Sequence, residues 1–151
     1  MYLYRLCRDP FSALDGEGAR LYGGRWNSPG APVIYTPTSL ALAALEYLVH
    51  LDPTDAPSDL VALTIEVPDT LAVETVDVRR LGREWAKRTS CPTCQGIGDK
   101  WLSEATTALL RVPAAPVPEE YNILINPRHP DASNASIIAK RPFEYDPRLL
   151  G

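Results

Sequence analysis

Residues 40–51 read Leu-Ala-Leu-Ala-Ala-Leu-Glu-Tyr-Leu-Val-His-Leu, an apolar stretch that only Glu46 and His50 interrupt. Apolar side chains on nearly every side of a helix indicate that the helix is buried over most of its surface. Thr38 or Ser39 can cap the first turn. The sequence therefore predicts a helix that begins after residue 39, ends at about residue 51 and forms part of the core.

Short strands and two further helices are predicted around this helix. Residues 60–67 alternate apolar and polar side chains, which is the period of a strand with one buried face. Turn-forming residues make residues 9–30 irregular, although Arg25 and Trp26 are large for a plain turn. The other predicted strands are residues 3–6, 31–36, 122–126 and 137–140, and the other predicted helices are residues 78–88 and 99–110. This mixture, without an internal repeat, predicts one domain of the α+β or α/β class over residues 1–151, and not a helix bundle.

Composition narrows the classes of function. The chain has 151 residues, of which 45% are hydrophobic, and its formal net charge is -4. An acidic chain lacks the basic surface of a general nucleic-acid binder. No apolar run reaches the ~20 residues of a membrane helix, and the first residues lack the layout of a secretory signal. Three cysteines do not make a disulfide framework, so the sequence predicts a reduced, cytoplasmic protein.

Glu46 and Arg25 are the strongest candidates for catalytic or ligand-binding side chains. A buried carboxylate without a partner costs on the order of several kcal/mol, so Glu46 is paired, opens into a cleft or is protonated. A structural ion pair, or a position that simply faces solvent, fits the same spacing. His50 suits the end of the helix, where the dipole favours a cation. Arg25 follows Gly23 and could clamp a phosphate or carboxylate bidentately, or it could lie on Trp26 at the surface.

Cys91 and Cys94 form a C-x-x-C pair. The pair could be half of a zinc site or a redox pair, but a structural zinc site needs four ligands and no second such pair is present. Two incidental thiols in a loop are the alternative. His129, between prolines, is read as a hydrogen-bonded turn residue, and no metal is expected.

Three blocks of the sequence together resemble the RES-domain family, the toxins of RES–Xre toxin–antitoxin pairs. Residues 24–35 match the arginine block and its strand tyrosine, residues 43–51 match the glutamate helix, and residues 111–130 match a third block. The family is named for an Arg, a Glu and a Ser. Its serine follows Val-Pro in the third block, where this chain has Ala114, either as a natural variant or as a deliberate removal of the hydroxyl.

The resemblance implies a fold similar to that of ADP-ribosyltransferases, with a split pair of mixed or antiparallel sheets around a cleft and helices outside. It also implies that NAD is the substrate and that its nicotinamide–ribose bond is cleaved. In that case Glu46 would supply negative charge at the ribose and Arg25 would clamp the pyrophosphate. Tyr35 would stack on nicotinamide, or pack as an ordinary aromatic residue. Ala114 cannot donate the hydrogen bond of the serine, which implies reduced activity.

The resemblance leaves other questions open. Water, phosphate or a protein could accept the ADP-ribose, and a protein acceptor would make the chain an ADP-ribosyltransferase. Alternatively, the chain is a catalytically silent module that binds an Xre-type helix-turn-helix antitoxin, with DNA contacted by that partner alone. The apolar helix suits a core and a homodimer interface equally, and no membrane contact is expected.

Overall fold

The computed structural model describes residues 1–151 as two β-sheets and three α-helices. The helices are α1 (Glu17–Tyr22), α2 (Leu40–Leu48) and α3 (Pro92–Glu104). The strands are β1 (Tyr2–Arg8), β2 (Ile34–Pro37), β3 (Leu60–Glu66), β4 (Val73–Thr75), β5 (Leu109–Pro113), β6 (Tyr121–Ile125) and β7 (Ser136–Pro142). The α+β class with two sheets, which the family resemblance implies, is confirmed.

The two sheets differ in topology. The first is antiparallel, in the order β1-β3-β7. The second is mixed, in the order β2-β6-β5-β4, and β4 alone is parallel to its neighbour. Strands β2, β5 and β6 therefore lie side by side, although long stretches of chain separate β2 from the other two.

The core lies in three layers, because the central strands are apolar on both faces. Between the sheets, side chains such as Leu63 of β3 and Leu109 of β5 share one cluster. On its other face the mixed sheet packs Leu124 against three tryptophans, which are Trp26, Trp85 and Trp101. On the other face of the first sheet, Ala43 of α2 and Tyr145 pack against Leu6, Leu60 and Ala62.

Helix α2 forms where the sequence predicts it. The Ser39 hydroxyl accepts a hydrogen bond from the backbone N–H of Leu42 at 3.1 Å, so Ser39 and not Thr38 is the cap. The helix ends at Leu48, three residues before the predicted end, and His50 lies in the turn that follows. The side chain of His129 also caps a turn, accepting from the N–H of Asp131 at 3.1 Å, as expected.

Of the other two predicted helices, one has the wrong bounds and the other is not an α-helix. The predicted helix over residues 99–110 in fact begins at Pro92 and ends at Glu104. It ends because Ala105 adopts a left-handed conformation, φ 48°, and the following apolar residues alternate between two core layers as β5. Residues 78–88 contain only the short 3-10 turn Val78–Arg80, and Gly82 at φ 78° follows it.

Two further expectations need correction. Residues 9–30 are not wholly irregular, because α1 lies within them. Cys91 and Cys94 are not free thiols in a loop, and the predicted reduced state is wrong for this pair: they form a disulfide across the first turn of α3. Residues three apart in a helical turn lie close together, here with their Cα atoms 5.2 Å apart, and the Cys91 sulfur also accepts from the Cys94 N–H.

Candidate functional site

A cleft of about 1000 Å³ opens at one end of the mixed sheet. Its floor includes the last residues of β2 and β5, which are Pro37 and Pro113, and the second residue of β6, Asn122. One wall is the C-terminal half of α2, and the other consists of residues 23–26 and 86–89. The volume lies at the upper end of the range for small-molecule sites, so the cleft is large enough for a dinucleotide.

Glu46 lies on the α2 wall and is half-buried. One of its carboxylate oxygens accepts a hydrogen bond from the side-chain amide of Asn122 at 2.8 Å. Asn122 is 6% exposed, and its own amide oxygen is buried without a partner. The amide therefore holds one carboxylate oxygen of Glu46 in place. Of the possibilities that the sequence leaves open for Glu46, the structure shows a paired carboxylate that lines a cleft.

Arg25 lines the same cleft, and its guanidinium donates hydrogen bonds to main-chain carbonyl groups. Its two terminal nitrogens donate to the carbonyl oxygens of Trp85, at 2.6 Å, and Arg88, at 2.9 Å. No carboxylate forms an ion pair with Arg25. The neighbouring Trp26 is buried against Trp85, with ring centroids 6.3 Å apart. The charge of Arg25 thus remains uncompensated at the edge of the cleft.

Tyr35 of β2 also lines the cleft. Its hydroxyl donates to the side-chain oxygen of Asn27 at 2.7 Å and accepts from the backbone N–H of Trp26 at 3.1 Å. Burial raises the pKa of the phenol well above its usual range, while Arg25 lowers that pKa and Glu46 raises it. The Tyr35 hydroxyl therefore shapes the loop that carries Arg25.

Ala114 is fully buried and follows the last residue of β5. Its N–H donates to the carbonyl of Glu120 at 2.9 Å. The residues on either side of it, Pro113 and Ala115, line the cleft. The structure thus places Arg25, Tyr35 and Glu46 around one cleft, with Ala114 beneath its lining.

Helix α3 supports the Arg25 loop from behind. The Asp99 carboxylate accepts hydrogen bonds from both the N–H and the hydroxyl of Ser28, at 2.8 and 2.6 Å. The Gln95 amide donates to the carbonyl of Gly24 at 3.2 Å. At Gly98 the helix passes so close to Trp26 that a Cβ atom would lie 1.7 Å from the Trp26 carbonyl oxygen.

Sequence reasoning missed Asn122 and the 86–89 segment. The one available signal for Asn122 is a polar residue inside an otherwise apolar strand. Nothing in the sequence pairs residues 86–89 with Arg25, since their proximity arises only in the tertiary structure. No cluster of three or more His, Cys, Asp or Glu side chains could hold a metal ion. No helix is both long enough and apolar enough to cross a membrane.

Comparison with known proteins gives consistent matches. The model of the RES domain matches residues 2–146. A "Prs ADP-ribosylating toxin" of Sphingobium sp. (strain YBL2) is 40% identical over 139 residues, covering 91% of this chain and 86% of that protein. A "Toxin Res" of Photorhabdus laumondii is 37% identical over 153 residues, covering 99% of this chain and 97% of that protein.

The fold also resembles a solved structure. It is similar to a chain in the crystal structure of the M. tuberculosis MbcT–MbcA toxin–antitoxin complex, with a TM-score of 0.77. The match covers 99% of this chain and 86% of that chain at 22% identity. At that identity the likeness shows a shared fold.

Proposed function

Because this chain belongs to the RES domain family, we propose that it is the toxin of a toxin–antitoxin pair, binds NAD and cleaves its nicotinamide–ribose bond. The observation that carries the proposal is the carboxylate of Glu46, which lines a dinucleotide-sized cleft and is held there by a buried amide. Depletion of NAD would then account for toxicity.

In the proposed reaction the bond between C1′ of the ribose and the nicotinamide nitrogen breaks, and nicotinamide leaves with the electron pair. Positive charge develops on the ribose, and the Glu46 carboxylate stabilises that charge while it accepts hydrogen bonds from the ribose hydroxyls. Water or phosphate then adds an oxygen lone pair to C1′ and loses a proton. The reaction depends on positioning and charge more than on a strong nucleophile.

The other residues of the cleft have supporting roles in this proposal. Arg25 contributes positive charge where the pyrophosphate binds. The ring of Tyr35 stacks on nicotinamide, while its hydroxyl keeps the Arg25 loop in place. A serine at position 114 would add a hydroxyl next to the cleft lining, so the alanine present here reduces turnover.

We expect the toxin to act in the cytoplasm and to be neutralised by an Xre-type helix-turn-helix antitoxin. A toxin–antitoxin complex among the structures of this fold supports such a partner. The chain carries a net charge of -4, so contact with DNA is assigned to the antitoxin. Several apolar residues of α2 pack against the first sheet, and a homodimer stays a prediction that sizing of the purified chain tests.

A second candidate function is transfer of ADP-ribose to a protein. The observation in its favour is the 40% identical relative named as a "Prs ADP-ribosylating toxin". Both reactions break the same bond of NAD and differ in the acceptor. With labelled NAD, label on a protein band supports transfer, whereas label in free ADP-ribose or its phosphate ester supports cleavage alone.

The test of Glu46 is NAD consumption by the Ala114→Ser protein and by its Glu46→Gln derivative. We expect Ala114→Ser to exceed the parent chain, and Glu46→Gln to lower turnover by roughly 10²-fold or more, as for other oriented catalytic contacts. Glu144→Gln is the matched control, because Glu144 is exposed and outside the cleft. Equal turnover by the Glu46→Gln protein would remove the basis of the proposal.

Calorimetry that finds antitoxin binding without NAD binding would favour the silent module.

A further inference from the structure

We propose that residues 85–88 form the phosphate-binding part of the cleft: Lys87 and Arg88 contact the pyrophosphate, and Arg25 is a positioning residue that holds the segment. This inference rests on the proposed function, because it assigns a place to the two phosphates of that dinucleotide. It also gives Arg25 a role different from a direct clamp.

Arg25 makes a two-pronged hydrogen-bond contact with the main chain of residues 85–88. Its two terminal nitrogens bind carbonyls three residues apart, those of Trp85 and Arg88, so one side chain spans the whole turn. The next residue, Trp26, packs on the ring of Trp85. Two consecutive residues of one loop thus fix the backbone and the first side chain of the 85–88 segment.

The side chains of this segment supply the charge. Lys87 and Arg88 both line the cleft and are exposed. Arg88 has no carboxylate partner. Lys87 has only Glu84, at 3.5 Å, and its side chain remains 76% exposed. Together with Arg25, the wall carries three cations, two of them without an ion pair, which suits a ligand with two negative charges.

The opposite wall explains the orientation of the ligand. Glu46 is the carboxylate of α2 in the cleft, and Asp52 and Asp55, which follow the helix, also line it. Apart from His50, Arg5 is the one cation of the lining outside the Arg25 loop and residues 86–89. Phosphates are therefore repelled from the three carboxylates and attracted to Lys87 and Arg88. A dinucleotide bound in this way has its phosphates on Lys87 and Arg88 and its ribose free to reach Glu46. The charge distribution of the cleft therefore orients the scissile bond.

The test is calorimetric binding of NAD and of ADP-ribose to the full chain at two salt concentrations. We expect the double substitution Lys87→Ala and Arg88→Ala to raise both dissociation constants by about tenfold or more and to flatten their salt dependence. Arg83→Ala is the control, since Arg83 is an exposed cation of the same region that does not line the cleft. Arg83→Ala should bind both ligands as the parent does.

Arg25→Lys provides a second measurement. Lysine keeps the charge but cannot span two carbonyls, so we expect the loss of affinity to match that of the double variant, in protein that still unfolds cooperatively. If the double variant binds ADP-ribose as tightly as the parent, the inference is overturned. The proposed function is unaffected by that result if Glu46→Gln still abolishes cleavage. A parent chain that binds neither ligand would overturn both proposals.

Discussion

Asn122 fixes one oxygen of the Glu46 carboxylate, and its replacement tests whether that position matters. Asn122→Ala removes the donor, so we expect slower NAD cleavage by about tenfold with little change in KM. Asn122→Asp places a second carboxylate beside the first, and the repulsion between two such groups raises the pKa of one of them. The rate of NAD cleavage by that variant should therefore recover as the pH rises. The alanine variant should show the same dependence of rate on pH as the parent chain. Identical profiles for both variants would show that Asn122 does not position Glu46.

Single residues differ in how far the sequence reveals them. Glu46 stands out because an acid interrupts an apolar helix, and the structure places it in a cleft. For Arg25, the glycine-rich loop and the family resemblance identify the residue but not its partners, because main-chain carbonyl oxygens are the same at every position of the sequence. Asn122 is hidden for the same reason, since a hydrogen bond to a residue 76 positions away depends on the fold.

Helix α3 contains two glycines, Gly96 and Gly98, whose replacement by alanine should have opposite effects on stability. Gly96 is exposed with no atom near its missing Cβ, so Gly96→Ala should stabilise the protein by up to about 1 kcal/mol. At Gly98 the same change places a methyl group 1.7 Å from the Trp26 carbonyl oxygen, so the helix and the Arg25 loop must separate. We expect a loss of stability there in spite of the better helix propensity. Urea unfolding of both variants checks this, and equal effects at the two sites would contradict the close approach.

The helices also show why local patterns predict some elements and not others. Helix α2 has a serine cap and apolar residues that only Glu46 interrupts, so local and tertiary preferences agree. Helix α3 has two glycines and ends at a left-handed alanine, while the apolar residues after it belong to β5. An apolar run of that length fits a strand or a helix, and only pairing with β6 decides between them.

The stability of the whole molecule should fall at alkaline pH because of a buried phenol. Tyr145 donates to the carbonyl of Ala44 at 2.5 Å and ties the C-terminal segment to α2. Burial raises the pKa of Tyr145 to about 12, whereas an unfolded tyrosine titrates at about 10. The unfolded chain thus loses its proton first, and the stabilisation present below pH ~10 is lost as the pH rises towards 12.

Thermal unfolding between neutral pH and pH ~11 measures this effect. The Tyr145→Phe protein should unfold at a lower temperature at neutral pH, and its melting temperature should fall less between neutral and alkaline pH. Tyr22→Phe is the control, because Tyr22 is 84% exposed. A parent chain whose melting temperature does not fall above pH ~10 would contradict the role of burial.

The bonds from Arg25 reach only main-chain oxygens, which all twenty amino acids carry alike. Substitutions in residues 85–88 can therefore alter charge and size while the turn itself stays anchored. The side chains of residues 85–88, and with them the ligand that this wall binds, can therefore change during evolution while the hydrogen bonds of Arg25 stay the same. Divergence in ligand preference among proteins of this shape should accordingly be sought in that turn, and an unchanged arginine is no guarantee of an unchanged substrate.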